Sequence, residues 1–248
     1  MSESAEKHSG KPAARSGNVA ACLLFCVAAM LSTAGAWWIL QRFEHVFQPT
    51  QRMTELYSIT HRNPAEADEL RILERTLACQ NTGFVLGLTG MLFAALLGFS
   101  QGLIDRSFPV CVFGFVAGTL LGGLGGVGGG CLSAFVDDGI QDSGLDEMFR
   151  NMLTHTSSWI VIAATAALAI LIATRRTSWT QSFRIVFAAV AAAMICGTIY
   201  APVAAVVFAD EETGAPLPQG DVNQLAWLLS SMVIISFALA RARPRNAE

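Results

Sequence analysis

Charge is scarce in this chain. Asp, Glu, Lys and Arg supply only 14% of the 248 residues, against 53% apolar side chains, and the mean hydropathy is +0.48. That balance excludes an ordinary soluble domain and points to a lipid bilayer. No basic block is present to track a phosphate backbone, so nucleic acid is excluded as a partner class. The six cysteines contain no C-x-x-C pair. His8, His45, His61 and His155 cluster with no cysteine, which argues against zinc and leaves no metal or cofactor to expect.

Residues 19–40, 82–103, 108–136, 159–174, 185–209 and 222–240 form six apolar runs without a single Asp, Glu, Lys, Arg or His. A helix needs about 20 apolar residues to cross a hydrocarbon core, and backbone groups in lipid must pair within their own segment, so each run predicts a spanning helix. The fourth is short and reaches span length only if residues 155–158 join it. The expected fold is therefore all-α: a six-helix transmembrane domain over residues 19–240, between tails at 1–18 and 241–248. A rival reading takes the residues before Trp37 as a signal peptide cleaved after Ala34-Gly35-Ala36, but the apolar run continues through Leu40 and fits a full span better.

The few charges are unevenly placed. Lys7, Lys11, Arg15, Arg106, Arg175, Arg176, Arg184, Arg241, Arg243 and Arg245 fall in the tails and the even-numbered loops, whereas the third and fifth loops are acidic. Positively charged loops stay cytoplasmic, so both termini are expected inside a plasma (inner) membrane. Trp37, Trp38, Trp159 and Trp227 mark expected outer boundaries and Trp179 an inner one, as an interfacial belt would. Of the cysteines, only Cys79 and Cys131 lie near the outer surface, where an oxidising compartment permits a bridge; spacing alone does not bring them together.

The first outer loop, 42–81, is too long for a plain connection. Asn63-Pro64-Ala65-Glu66 reads as an N-cap, a first-turn proline and the glutamate of a capping box, leading into a helix that continues into the second span. Met53, Leu56 and Tyr57 mark a shorter amphipathic turn before it, so a small helical extracytoplasmic cap is expected. The acidic stretch beginning at Asp137 lacks the EF-hand spacing and reads as a solvated loop.

Glycine, by contrast, is concentrated. Gly114, Gly118, Gly122, Gly126 and Gly130 form a four-residue ladder in the third span, and seven of the nine residues from 122 to 130 are glycine. The pattern resembles the glycine zipper of many unrelated membrane helices, a resemblance that implies close helix packing and no particular activity. Docking on a neighbouring span or on a second copy of the chain are both open. Since glycine costs a helix about 1 kcal/mol relative to alanine in water, the half from Gly122 onward is expected to be unwound. Pro202 marks a similar weak point in the fifth span, near Gly197, and sliding the chain by 75 residues superposes Gly122 on Gly197.

Two function classes follow. The first is a non-catalytic integral membrane protein that uses the ladder for packing or self-association. The second is a passive channel or transporter for a small neutral or cationic solute, lined by Thr119, Gly197, Thr198, Tyr200 and Pro202 at the two interruptions. An enzyme is disfavoured. Gly98-Phe99-Ser100-Gln101-Gly102 fits G-x-S-x-G, but it lies within a span, with the available histidines expected on the opposite membrane face.

Overall fold

A computed structural model describes residues 13–141, 143–174, 178–209, 211 and 215–243, with side chains from residue 19 onward. Lys7, Lys11, Arg175, Arg176, Arg245, Asp142, Asp210 and Glu212, with most of both tails, lie outside the described residues. The fold is an all-α membrane bundle. Six helices are long and apolar enough to cross a bilayer: α1 (Ala13–Phe43), α3 (Pro64–Ile104), α4 (Phe108–Ile140), α5 (Glu147–Thr174), α6 (Trp179–Val207) and α7 (Asp221–Ala242). A short helix, α2 (Gln51–Ser58), lies between α1 and α3.

The helices close a ring in the order α4, α3, α1, α7, α6, α5, and α3 also touches α5 across it. The fourth span does recruit residues 155–158, since α5 starts at Glu147. At 41 residues α3 is about 60 Å long, twice the hydrocarbon thickness, so its first turns project beyond the bundle beside α2. We call this the cap end.

Large and small side chains are sorted inside out. On α4, Phe115, Val116, Leu120 and Leu124 are 46–72% exposed, while Gly114, Gly118, Gly122 and Gly126 are buried. In water this would be a poor helix. In lipid the bulky face meets acyl chains and the bare face lets a neighbouring backbone approach.

The cap follows its local sequence signals. Asn63 Oδ1 accepts from Glu66 N at 2.9 Å and Glu66 Oε2 accepts from Asn63 N at 2.9 Å, completing the capping box ahead of Pro64. Met53 and Leu56 of α2 are buried, and Tyr57 donates to Glu74 of α3 at 2.8 Å. Arg52 donates to both Glu69 oxygens at 2.9 and 2.7 Å. Those hydrogen bonds and the guanidinium charge hold the Glu69 carboxyl below its ordinary range. A depressed carboxylate stabilises its clasp fully above the unfolded pKa and loses that contribution as pH falls through the folded one. Acidification below about pH 4, the ordinary Glu value, should therefore loosen the hold of α2 on α3, with Met53 and Leu56 still buried, while leaving the spans folded. Proteolysis near Arg52 that is no faster at pH 3 than at pH 7, with an acid-active protease, would contradict this.

At the opposite end Arg243 pairs with Asp105, which also accepts from Gln101 at 2.8 Å, and Arg184 donates to Ala242 O at 2.9 Å. These contacts tie together the end of α3, the start of α6 and the end of α7.

Candidate functional site

The ladder of α4 faces α3 of the same chain. A methyl group placed on Gly114 would collide with the carbonyl of Gly98, one on Gly118 with Ala94, and one on Gly122 with Gly90. At Gly126 it would meet Leu86 O and, at 2.8 Å, Gly87 Cα; at Gly130 it would meet Thr82 O at 2.6 Å and Gly83 Cα at 2.7 Å. Each four-residue step up α4 thus matches a four-residue step down α3. A period above 3.6 keeps such contact only if the helices coil in the right-handed sense. The seam ends at the cap in a Cys79–Cys131 disulfide, with Cα atoms 4.4 Å apart, and in Arg71 and Arg75 on Asp138 at 2.8 and 3.3 Å.

The expected unwinding from Gly122 onward is not found, because α4 is continuous helix through Gly130. Two physical reasons account for it. An unsatisfied backbone group in lipid costs several kcal/mol, more than the roughly 1 kcal/mol propensity penalty per glycine. The surplus glycines also have a second neighbour: side chains on Gly125 and Gly129 would run into Thr165 and Ser158 of α5. Only Gly128 of this run has room, with its nearest neighbour, Val161 Cγ1, at 3.9 Å. The α6 helix likewise passes through Pro202 unbroken.

The residues proposed for a solute path are not gathered together. Thr119 of α4 returns its hydroxyl to Phe115 O at 2.8 Å. Gly197 is a close approach to Thr156 of α5, Thr198 is exposed on α6, and Pro202 is half-buried. Helix α5 lies between α4 and α6, so Thr119 shares no site with the α6 residues. Tyr200 alone belongs to a polar centre.

That centre lies between α5, α6 and α7 near the cap end. His155, expected at the outer surface, is fully buried, with its ring edge-on to Tyr200 at 4.9 Å and tilted against Trp227 at 5.7 Å. Trp159 and Trp227, expected in an interfacial belt, are also fully buried and pack 5.2 Å apart; Trp38 and Trp179 are the exposed pair. Tyr200 donates to Asn223 Oδ1 at 2.6 Å, and Asn223 donates to Gln219 O at 3.0 Å. Above them Gln41 bridges Asp221 and Gln224 at 2.8 and 3.0 Å, and Gln224 donates to Glu44 at 3.2 Å. Around His155, Asn151 Oδ1, Thr154 Oγ1, Trp159 Nε1, Trp227 Nε1 and Ser231 Oγ are buried with no hydrogen-bond partner among the described residues. Burying polar groups this way costs free energy.

A signal for this centre existed in the sequence. Asn151, His155 and Ser158 repeat at helical spacing on α5, as Asn223, Trp227 and Ser231 do on α7. The G-x-S-x-G match has a plainer origin: Gly98 and Gly102 are seam positions against α4, and Ser100 is buried in continuous helix. Among the described residues no three His, Cys, Asp or Glu side chains are grouped to hold a metal ion. Comparison with protein families, curated proteins and solved structures returns no match, so any role for these residues rests on their own geometry.

Proposed function

We propose that this integral membrane protein is non-catalytic, that it resides in the plasma (inner) membrane with both termini cytoplasmic, and that its glycine zipper serves helix packing within the chain. The observation that carries the reading is the run of backbone approaches from Gly98 and Gly114 to Thr82 and Gly130. Because α3 covers that face, self-association would have to use another surface. The orientation is supported by the arginine distribution, and by a disulfide at the cap end, where an oxidising compartment would maintain it.

A second reading is favoured by one observation, the five unpartnered polar atoms around His155. It keeps passage of a small neutral or cationic solute as the function but moves the site from the α4 and α6 weak points to the α5–α6–α7 centre, with Glu44 and Asp221 near its cap-end side. Reconstitution separates the two. The first reading expects vesicles carrying the protein to retain ions, urea and glycerol as well as empty ones; the second expects release that Tyr200→Leu abolishes. A reporter fused after Glu248 should be active only in the cytoplasm, and periplasmic activity would overturn the orientation.

A further inference from the structure

The lipid-facing surface is not uniform. Helices α4 and α5 meet closely at Gly125 and Gly129, and they diverge toward the end opposite the cap, where a cleft of about 590 Å³ opens between them. Phe108, Val112, Phe113 and Val116 of α4 and Ala173 of α5 line it. A concave apolar surface at hydrocarbon depth cannot hold water without loss of hydrogen bonding, so its occupant must be a hydrocarbon chain.

The rim adds charge. Arg106 stands two residues before Phe108 and is exposed; its backbone N–H donates to Leu103 O at 3.1 Å, and its guanidinium has no ion-pair or hydrogen-bond partner among the described residues. Its backbone has φ 50°, the left-handed region that ordinary side chains avoid at a cost of about 1–2 kcal/mol. Glycine would relieve that cost, yet arginine occupies the turn. Beside it, in the first turn of α4, Phe108 and Val110 carry backbone N–H groups outside the helical ladder, whereas Pro109 has none and Cys111 N already donates to Ser107 O at 3.0 Å; the N-cap, Ser107, makes no side-chain cap bond. A cation and a helix N-terminus together form a seat for an anionic group.

We propose that the α4–α5 cleft is a binding site for an anionic phospholipid, with one acyl chain between Phe113, Val116 and Ala173 and the phosphate at Arg106 and the start of α4. The proposal is independent of the packing and solute readings. Native mass spectrometry of the purified protein, with dioleoyl phosphatidylglycerol or dioleoyl phosphatidylcholine in mixed micelles, tests it. Wild type should retain the anionic lipid about fivefold more than the zwitterionic one, the factor expected of one basic residue near an anionic headgroup. Arg106→Gly should bring the ratio close to one without lowering thermal stability, because it removes backbone strain. Val116→Trp, which fills the cleft from a lipid-facing position, should reduce retention of both. Equal retention by wild type, an unchanged ratio in Arg106→Gly, or unchanged retention in Val116→Trp would each overturn the proposal.

Discussion

Leucine at both Gly118 and Gly122 is expected to break the bundle. Neither position has room even for a methyl group: the obstacles are the carbonyls of Ala94 and Gly90, which are backbone and cannot rotate away. Overpacking costs about 1–3 kcal/mol where side chains can shift, so two rigid collisions should remove more than that, enough to consume a marginal stability. The variant should elute from a sizing column in mild detergent as aggregate or expanded species. Gly128→Ala supplies the contrast. Its nearest neighbour is 3.9 Å away, so the methyl group fits, and helix propensity should leave stability equal or higher by up to about 1 kcal/mol. Gly139, with nothing within 4 Å, should behave alike. Wild-type melting of the leucine variant would show that α3 and α4 do not meet along the ladder.

The second large effect should follow from opening the Cys79–Cys131 bridge, which closes a sequence separation of 52 residues. Chain-entropy arguments put such a cross-link at about 4 kcal/mol for a soluble chain. The gain here should be smaller, because spans stay helical in lipid and the loose state is already confined. Cys79→Ser with Cys131→Ser should therefore lower the melting temperature yet leave a folded protein, held by the seam and by Arg71 and Arg75 on Asp138. In intact cells, a membrane-impermeant maleimide should label the wild type only after reduction. Labelling of Cys79 without reductant would show that the bridge is absent, and no labelling after reduction would place the cap end inside.

What was legible in the sequence was what lipid dictates directly. Span number, helical class and the start of α3 at Asn63 follow from run length and capping chemistry, which act locally. The partner of the ladder was not legible, because glycine contributes no side chain that could advertise a neighbour. The complementary signal was nevertheless present: Gly90, Ala94, Gly98 and Gly102 repeat the same four-residue step on α3. The unwinding expectation failed because it carried a penalty measured in water into a medium with no competing hydrogen-bond partners. His155, Trp159 and Trp227 lie near span ends, which in the sequence suggests a boundary, whereas their burial depends on which way α5 and α7 face, and that is a property of the assembled ring.

The pairing of a sulfur bridge with a repetitive seam has a consequence for assembly. Every rung on the α4 side is glycine, so that face by itself does little to tell one register from the next. A slip of four residues, however, carries Cys131 about 6 Å along the axis, far enough to prevent the sulfurs from meeting. Oxidation can then succeed only on the correctly aligned pair, and it makes permanent a choice that the glycines by themselves leave degenerate.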